Sequence, residues 1–242
     1  MHFVVYSVGR LPGVKAGLGN LYDCPFFMLN RPPPALRTII YVDGLNFYYG
    51  AVKGTPRWKW LDIERFCKLL RPHDDIRQIR YFSSLIQGPT KSNQEAYLKA
   101  LSTTPLVGVI LGKFKMKKAK CGVAECGHPS KWFQTPEEKR TDVNIAVFMV
   151  DDAYQDLCDQ LIVFSGDSDL VPAVNVVRLR FPKKKVIVYV PSADPVRGAA
   201  VELRTAANVH RTIPRQLLAK SQFADQVPDG FGGIIARPAA WR

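Results

Sequence analysis

An α/β architecture built on a mostly parallel sheet is what the sequence predicts, from two observations. Apolar, β-branched runs alternate along the chain with segments whose apolar residues fall three or four apart, the spacings of strands and helices. The first such run, Thr38-Ile39-Ile40-Tyr41-Val42, is apolar nearly throughout, as expected of a strand covered on both faces. Parallel neighbours need crossover connections, and the intervening helical patterns supply them on both faces of the sheet. At 242 residues the chain can bury one full core of this kind with appendages.

Taken in order, residues 1–36 carry scattered glycines and the run Arg31-Pro32-Pro33-Pro34 without periodicity, and are expected to be a poorly ordered N-terminal extension. The principal domain is placed at 37–211. Its first strand, 38–43, ends in Asp-Gly, a turn signal. Further strands are expected over 76–86, 105–114, 160–165 and 185–190, and helices over about 61–70, 91–103, 138–157, 169–179 and 198–207. Residues 113–136 break this rhythm with Lys113, Lys115, Lys117, Lys118 and Lys120, then Cys, Gly and Pro, and read as a long basic loop. A short helix near 214–220 and a Gly/Pro-containing tail make up 212–242, and no internal repeat is present.

The composition, 47% hydrophobic and 23% charged, is that of a folded soluble protein and excludes wholesale disorder. Thirty-four Lys and Arg against 21 Asp and Glu give a net charge of +13, which attracts polyanions and makes nucleic acid the first candidate partner. Five cysteines, an odd number in a chain that does not need disulfide staples, fit a reducing cytoplasm. No apolar run spans a bilayer, so no membrane association is expected; a homo-oligomer remains open.

Three acidic segments carry the chemistry. Asp43 ends the first strand in Tyr41-Val42-Asp43-Gly44-Leu45-Asn46, and Asp167 and Asp169 follow the strand 161–164 in Ser165-Gly166-Asp167-Ser168-Asp169-Leu170. Strand ends of a parallel sheet emerge on one edge, where ligands bind, so these carboxylates can converge. Asp142, early in the helix that precedes the second acidic strand, can face the same edge. Like charges so placed raise one another's pKa values unless a cation compensates, and Mg²⁺ or Mn²⁺ prefers such oxygen ligands. Each aspartate also has a plain reading: Asp43 in a turn, Asp169 as a helix cap, Asp142 complementing a helix dipole. Three such turns coinciding is the less convincing account.

Together, Val42-Asp43-Gly44-Leu45-Asn46-Phe47, Glu138-Lys139-Arg140-Thr141-Asp142-Val143-Asn144-Ile145-Ala146 and Ser165-Gly166-Asp167-Ser168-Asp169-Leu170 resemble the NYN domain family, PIN-like nucleases that include the LabA-like group. The resemblance covers about residues 38–210. It implies a three-layer α/β/α sandwich of PIN-like type, a Mg²⁺ or Mn²⁺ site and phosphodiester hydrolysis, usually of RNA. Carried over by position, Asp43, Asp142, Asp167 and Asp169 would bind the metal. Asn46 would lie beside them, Ser165 would support them from the strand end, and Lys139 would contact phosphate. The pattern departs at Arg140, where many relatives carry a small residue, often glycine. The implied chemistry is Lewis-acid activation of the phosphodiester and of water. The histidines lie outside all three motifs, so no histidine base is expected.

Since acids repel phosphate, basic groups must draw the backbone in. Lys113, Lys115, Lys117 and Lys118 are the first candidates, with Arg57, Arg65, Lys183, Lys184 and Arg197 behind them. Phe47, Tyr48, Tyr49, Trp58 and Trp60 are placed to stack unpaired bases or to fill the core. Zinc at Cys121, Cys126 and His128 is not expected, because a structural site needs a fourth ligand. The glycines from Gly9 to Gly19 fit neither a dinucleotide fingerprint nor a P-loop. The expected activity is that of a metal-dependent endoribonuclease acting on single-stranded RNA, with single-stranded DNA as a second substrate. Its rival is a non-catalytic RNA-binding or scaffold module of the same fold. An aspartate-nucleophile phosphatase ranks lower, since Asn46 does not give Asp-x-Asp after the first strand.

Overall fold

The computed structural model describes residues 34–123, 125, 127, 130–191 and 201–242. The chain divides into Met1–Pro34 and Ala35–Arg242, and every element below belongs to the second unit. The expectation for residues 1–36 therefore falls almost wholly outside the described residues.

The strands are β1 (Arg37–Asp43), β2 (Asp75–Ser83), β3 (Val107–Leu111), β4 (Lys113–Lys120), β5 (Trp132–Lys139), β6 (Gln160–Phe164), β7 (Lys185–Val190), β8 (Val209–Thr212), β9 (Gln226–Pro228) and β10 (Ile234–Ala236). The helices are α1 (Gly44–Phe47), α2 (Ile63–Leu70), α3 (Lys91–Leu101), α4 (Thr141–Tyr154), α5 (Val171–Arg180), α6 (Val201–Ala206) and α7 (Arg215–Lys220). Six strands form one sheet in the order β3-β2-β1-β6-β7-β8, every pair parallel. The chain lays strands outward from β1 through β2 to β3, returns beside β1 as β6, and continues outward the other way. Strand order thus reverses between β1 and β6, the place where open α/β sheets bind their ligands.

Alternation along β1 divides the core between two layers. Ile39 and Tyr41 pack with Ile145 and Met149 of α4, Val174 and Val177 of α5 and Leu203 of α6. Ile40 and Val42 pack on the opposite face with Phe66 of α2, Leu98 and Leu101 of α3 and Leu218 of α7. The result is the expected three-layer α/β/α sandwich. In α4 the spacing Ile145, Met149, Ala153 turns one buried stripe toward the sheet. At its far end Asp152 is 1% exposed, yet it is answered by the Tyr41 hydroxyl at 2.7 Å and by Arg80, whose Nε and Nη2 donate at 2.9 and 2.6 Å.

The expected loop at 113–136 is instead an antiparallel hairpin over most of its length: β4 and β5 pair from Lys113 with Lys139 to Lys120 with Trp132. Lys113, Lys115 and Lys117 alternate with Phe114 and Met116, a period of two that the poor strand propensity of lysine disguises. The helix expected from 138 accordingly begins at Thr141, because Glu138 and Lys139 belong to β5. The tail is also more ordered in pattern than expected. The β9–β10 pair brings Val227 and Ile235 against Trp60 and Ala100, with Trp241 packed on the same cluster. Among the described residues, no helix is long and apolar enough to cross a membrane.

Candidate functional site

The register of β1 and β6 sets Val42 beside Phe164, so Asp43 and Ser165 leave the sheet side by side at the switch point. Asp43 is 4% exposed. Its Oδ1 accepts from the Asn46 backbone N–H at 3.0 Å, capping α1, and its Oδ2 accepts from Ser165 Oγ at 2.9 Å. The turn reading of Asp43 is therefore correct, and it still leaves the carboxylate at the strand end. Gly44 is required next: a Cβ there would lie 2.5 Å from the carbonyl oxygen of Phe82, so only glycine lets the chain turn against β2.

Ser165 ties the two acidic segments together. While donating to Asp43, its Oγ accepts from the Asp167 backbone N–H at 3.1 Å. Asn46 makes the reciprocal tie, its Oδ1 accepting from the Gly166 N–H at 3.0 Å. Asp167, rather than Asp169, caps the turn Ser168–Leu170, accepting from the Asp169 N–H at 3.0 Å. Asp169 is exposed at the rim.

Asp142 comes from the first turn of α4, and the charges of Asp43, Asp167 and Asp169 act on its carboxyl through space. The Asp43 carboxyl is pushed up to about 6, chiefly by burial and in lesser part by the charges of Asp167 and Glu138, against the two hydrogen bonds that favour ionisation. Burial likewise pushes Asp142 up to about 6, followed by the charges of Asp43, Asp167, Glu138 and Asp169. Arg140, just before α4, has φ 84°, the left-handed region in which glycine is at ease. The departure from the family pattern at this position is thus a non-glycine residue held where glycine fits.

Glu138 is the member that sequence reasoning missed. At the end of β5 it accepts from Ser84 Oγ at 2.8 Å, from the Thr141 N–H at 3.2 Å and from the Thr141 hydroxyl. A carboxylate inside the acidic motif, four residues before Asp142, was the available signal. It was obscured because a left-handed turn, not a helix, separates the two.

Among the described residues, none of Asp43, Glu138, Asp142, Asp167 and Asp169 makes an ion pair with Lys or Arg. Nor do three His, Cys, Asp or Glu side chains there stand close enough to form a ready ligand set. No three of them form a ligand set as they stand, but carboxylate oxygen without a Lys or Arg partner among the described residues is the donor chemistry that a divalent cation such as Mg²⁺ or Mn²⁺ takes.

The basic candidates separate by position. Lys113 and Lys139 face each other at the base of the hairpin beside the acids, and Lys115, Lys117 and Lys118 continue outward, all exposed. Lys117 and Lys139 share Glu137 at 3.4 and 3.1 Å. Lys184 is corrected: it is buried at the opposite edge of the sheet, paired with Asp156 and the Cys158 carbonyl. Arg197, Cys126 and His128 lie outside the described residues.

The aromatics that follow Asp43 also divide. Phe47 and Trp60 are core residues, Trp60 donating to the Ala224 carbonyl at 2.8 Å. Tyr48, Tyr49 and Trp58, with an edge of Phe47, line a cavity of about 240 Å³ together with Tyr97, Lys53 and Lys59. Its lining reaches Gly44 and Ser83, neighbours of Asp43 and Ser84.

Residues 37–214 match the model of the NYN domain. The chain is 31% identical, over 85% of its own length and 75% of the relative's, to a Pseudomonas putida protein named 6-hydroxy-3-succinoylpyridine 3-monooxygenase HspA. Among solved structures, one of a protein of unknown function from Vibrio parahaemolyticus superposes with a TM-score of 0.48 at 18% identity, covering 76% of this chain and 96% of that one.

Proposed function

Because the chain belongs to the NYN domain family, generally a family of nucleases, we propose that it is a metal-dependent endoribonuclease acting on single-stranded RNA. In this reading Asp43, Asp142, Asp167 and Asp169 hold Mg²⁺ or Mn²⁺, with Glu138 beside them. The observation that supports it most is the unpaired acid cluster at the point where strand order reverses. A divalent ion there supplies Lewis-acid activation of a phosphodiester and of water.

The protein's own residues do the rest. Ser165 and Asn46 hold the two acidic loops in register, so that Asp43 and Asp167 keep a fixed relation. Lys113, Lys115, Lys117, Lys118 and Lys139 attract the RNA backbone, which the acids alone would repel. The buried thiols Cys67 and Cys158 are unpaired, in keeping with a cytoplasmic setting.

A second reading comes from the relative's name, which describes an oxygenase of a substituted pyridine; the aromatic, lysine-bearing cleft is the feature that favours it. Oxygen uptake with 6-hydroxy-3-succinoylpyridine and a reductant would establish that reading, and none is expected. The decisive assay is cleavage of labelled single-stranded RNA with Mg²⁺ or Mn²⁺, comparing wild type with Asp43→Asn and Asp167→Asn. Cleavage that the substitutions abolish while RNA binding persists is the expected result. Binding without cleavage under any divalent ion would make the chain a non-catalytic RNA-binding module instead.

A further inference from the structure

The aromatic cleft begins one residue from the acid cluster, and the metal chemistry does not use it. Its walls are Tyr48, Tyr49, Trp58 and Tyr97, with Lys53 Nζ 4.7 Å from the centre of the Tyr49 ring and Lys59 Nζ 5.5 Å from that of Tyr48. Among the described residues, no carboxylate lines it. At about 240 Å³ it falls below the roughly 300–1,000 Å³ of sites that enclose drug-sized ligands, which suits a single ring system.

We propose that this cleft receives one unpaired base of a single-stranded nucleic acid whose backbone runs past the acid cluster. Flat rings match the π-face that every base carries, and the two lysines meet the phosphates attached to it. A duplex keeps its bases stacked within the helix, so such a cleft selects single strands. The proposal rests on the nuclease reading for the path of the backbone, though base binding itself needs no cleavage.

The test uses the full chain in Ca²⁺ and a short single-stranded RNA with 2-aminopurine at one position, read by fluorescence quenching, strand integrity being checked on a gel. The same strand with an abasic residue there competes against it, and the second protein is Tyr49→Ala. Tyr49 is 63% exposed, so its truncation leaves the core in place. Saturable quenching is expected, with binding about tenfold weaker for Tyr49→Ala and for the abasic strand, or about 1.4 kcal/mol. Equal affinity for abasic and intact strands, or unquenched emission on binding, overturns the proposal. Metal-dependent cleavage with no dependence on the base removes the cleft and keeps the nuclease. Base-dependent quenching without cleavage under any divalent ion keeps the cleft and removes the nuclease.

Discussion

Replacing Asp43 by asparagine is expected to stabilise the metal-free protein at alkaline pH and to lose that advantage in acid. Folding holds the Asp43 carboxyl at about 6 against an ordinary 3.8, because burial and neighbouring charges disfavour its ionised form. At 1.36 kcal/mol per pH unit, this interval corresponds to about 3 kcal/mol of destabilisation once the group is ionised in both states. A group whose folded pKa is raised contributes stability that is complete below the unfolded pKa and lost as pH rises through the folded one. Wild type therefore pays the full penalty at pH 8 and recovers roughly 1.4 kcal/mol of it by pH 5. Asparagine keeps the bond from the Asn46 N–H but disturbs that from Ser165, at a cost of about 1 kcal/mol. The net gain is about 2 kcal/mol at pH 8, or roughly 4–8 °C in Tm for a chain of this length. Thermal melts of both proteins in EDTA at pH 8 and pH 5 read it directly. A variant no more stable than wild type at pH 8, or a gain that does not shrink toward pH 5, would refute the reasoning.

Three further outcomes follow from the same geometry. Arg140→Gly relieves a left-handed backbone worth about 1–2 kcal/mol, partly offset by the entropy of an added glycine, so Tm should rise by the equivalent of about 0.5–1 kcal/mol. Arg80→Ala strands the buried Asp152 carboxylate and should cost about 3–5 kcal/mol in urea denaturation, without changing Mn²⁺ affinity in the folded protein. Replacing Lys113, Lys115 and Lys118 together by alanine should weaken binding to single-stranded RNA evenly across sequences. The salt dependence, measured as log K against log salt, should then be shallower by about 2, since each phosphate contact on a single strand contributes about 0.7.

The sandwich was legible because its evidence is local. The run from Thr38 to Val42 is apolar and β-branched, and the alternation of periods along the chain requires crossovers, hence a parallel sheet. Asp43 and Asp167 were legible for a related reason: each follows a strand that could be recognised without knowing its neighbours. Glu138 was not, because its place depends on a hairpin and on a left-handed turn at Arg140, both set by pairing and backbone geometry. The lysines of β4 read as a loop because their residue type opposes their spacing, and only pairing with β5 makes them a strand. The division of the aromatics into core and cleft depended on the C-terminal segment, which covers Trp60 from far along the chain.

The claim on which all of this turns is that carboxylates from three distant segments share one divalent cation. Titration of Mn²⁺ into the wild-type chain and into Asp142→Asn, read by the loss of the free-ion electron paramagnetic resonance signal, tests it most directly. Uptake by wild type that Asp142→Asn largely loses is the expected result, since Asp142 feels the other acids from a different helix. Free Mn²⁺ left undiminished by wild type, or equal uptake by the two proteins, would contradict it.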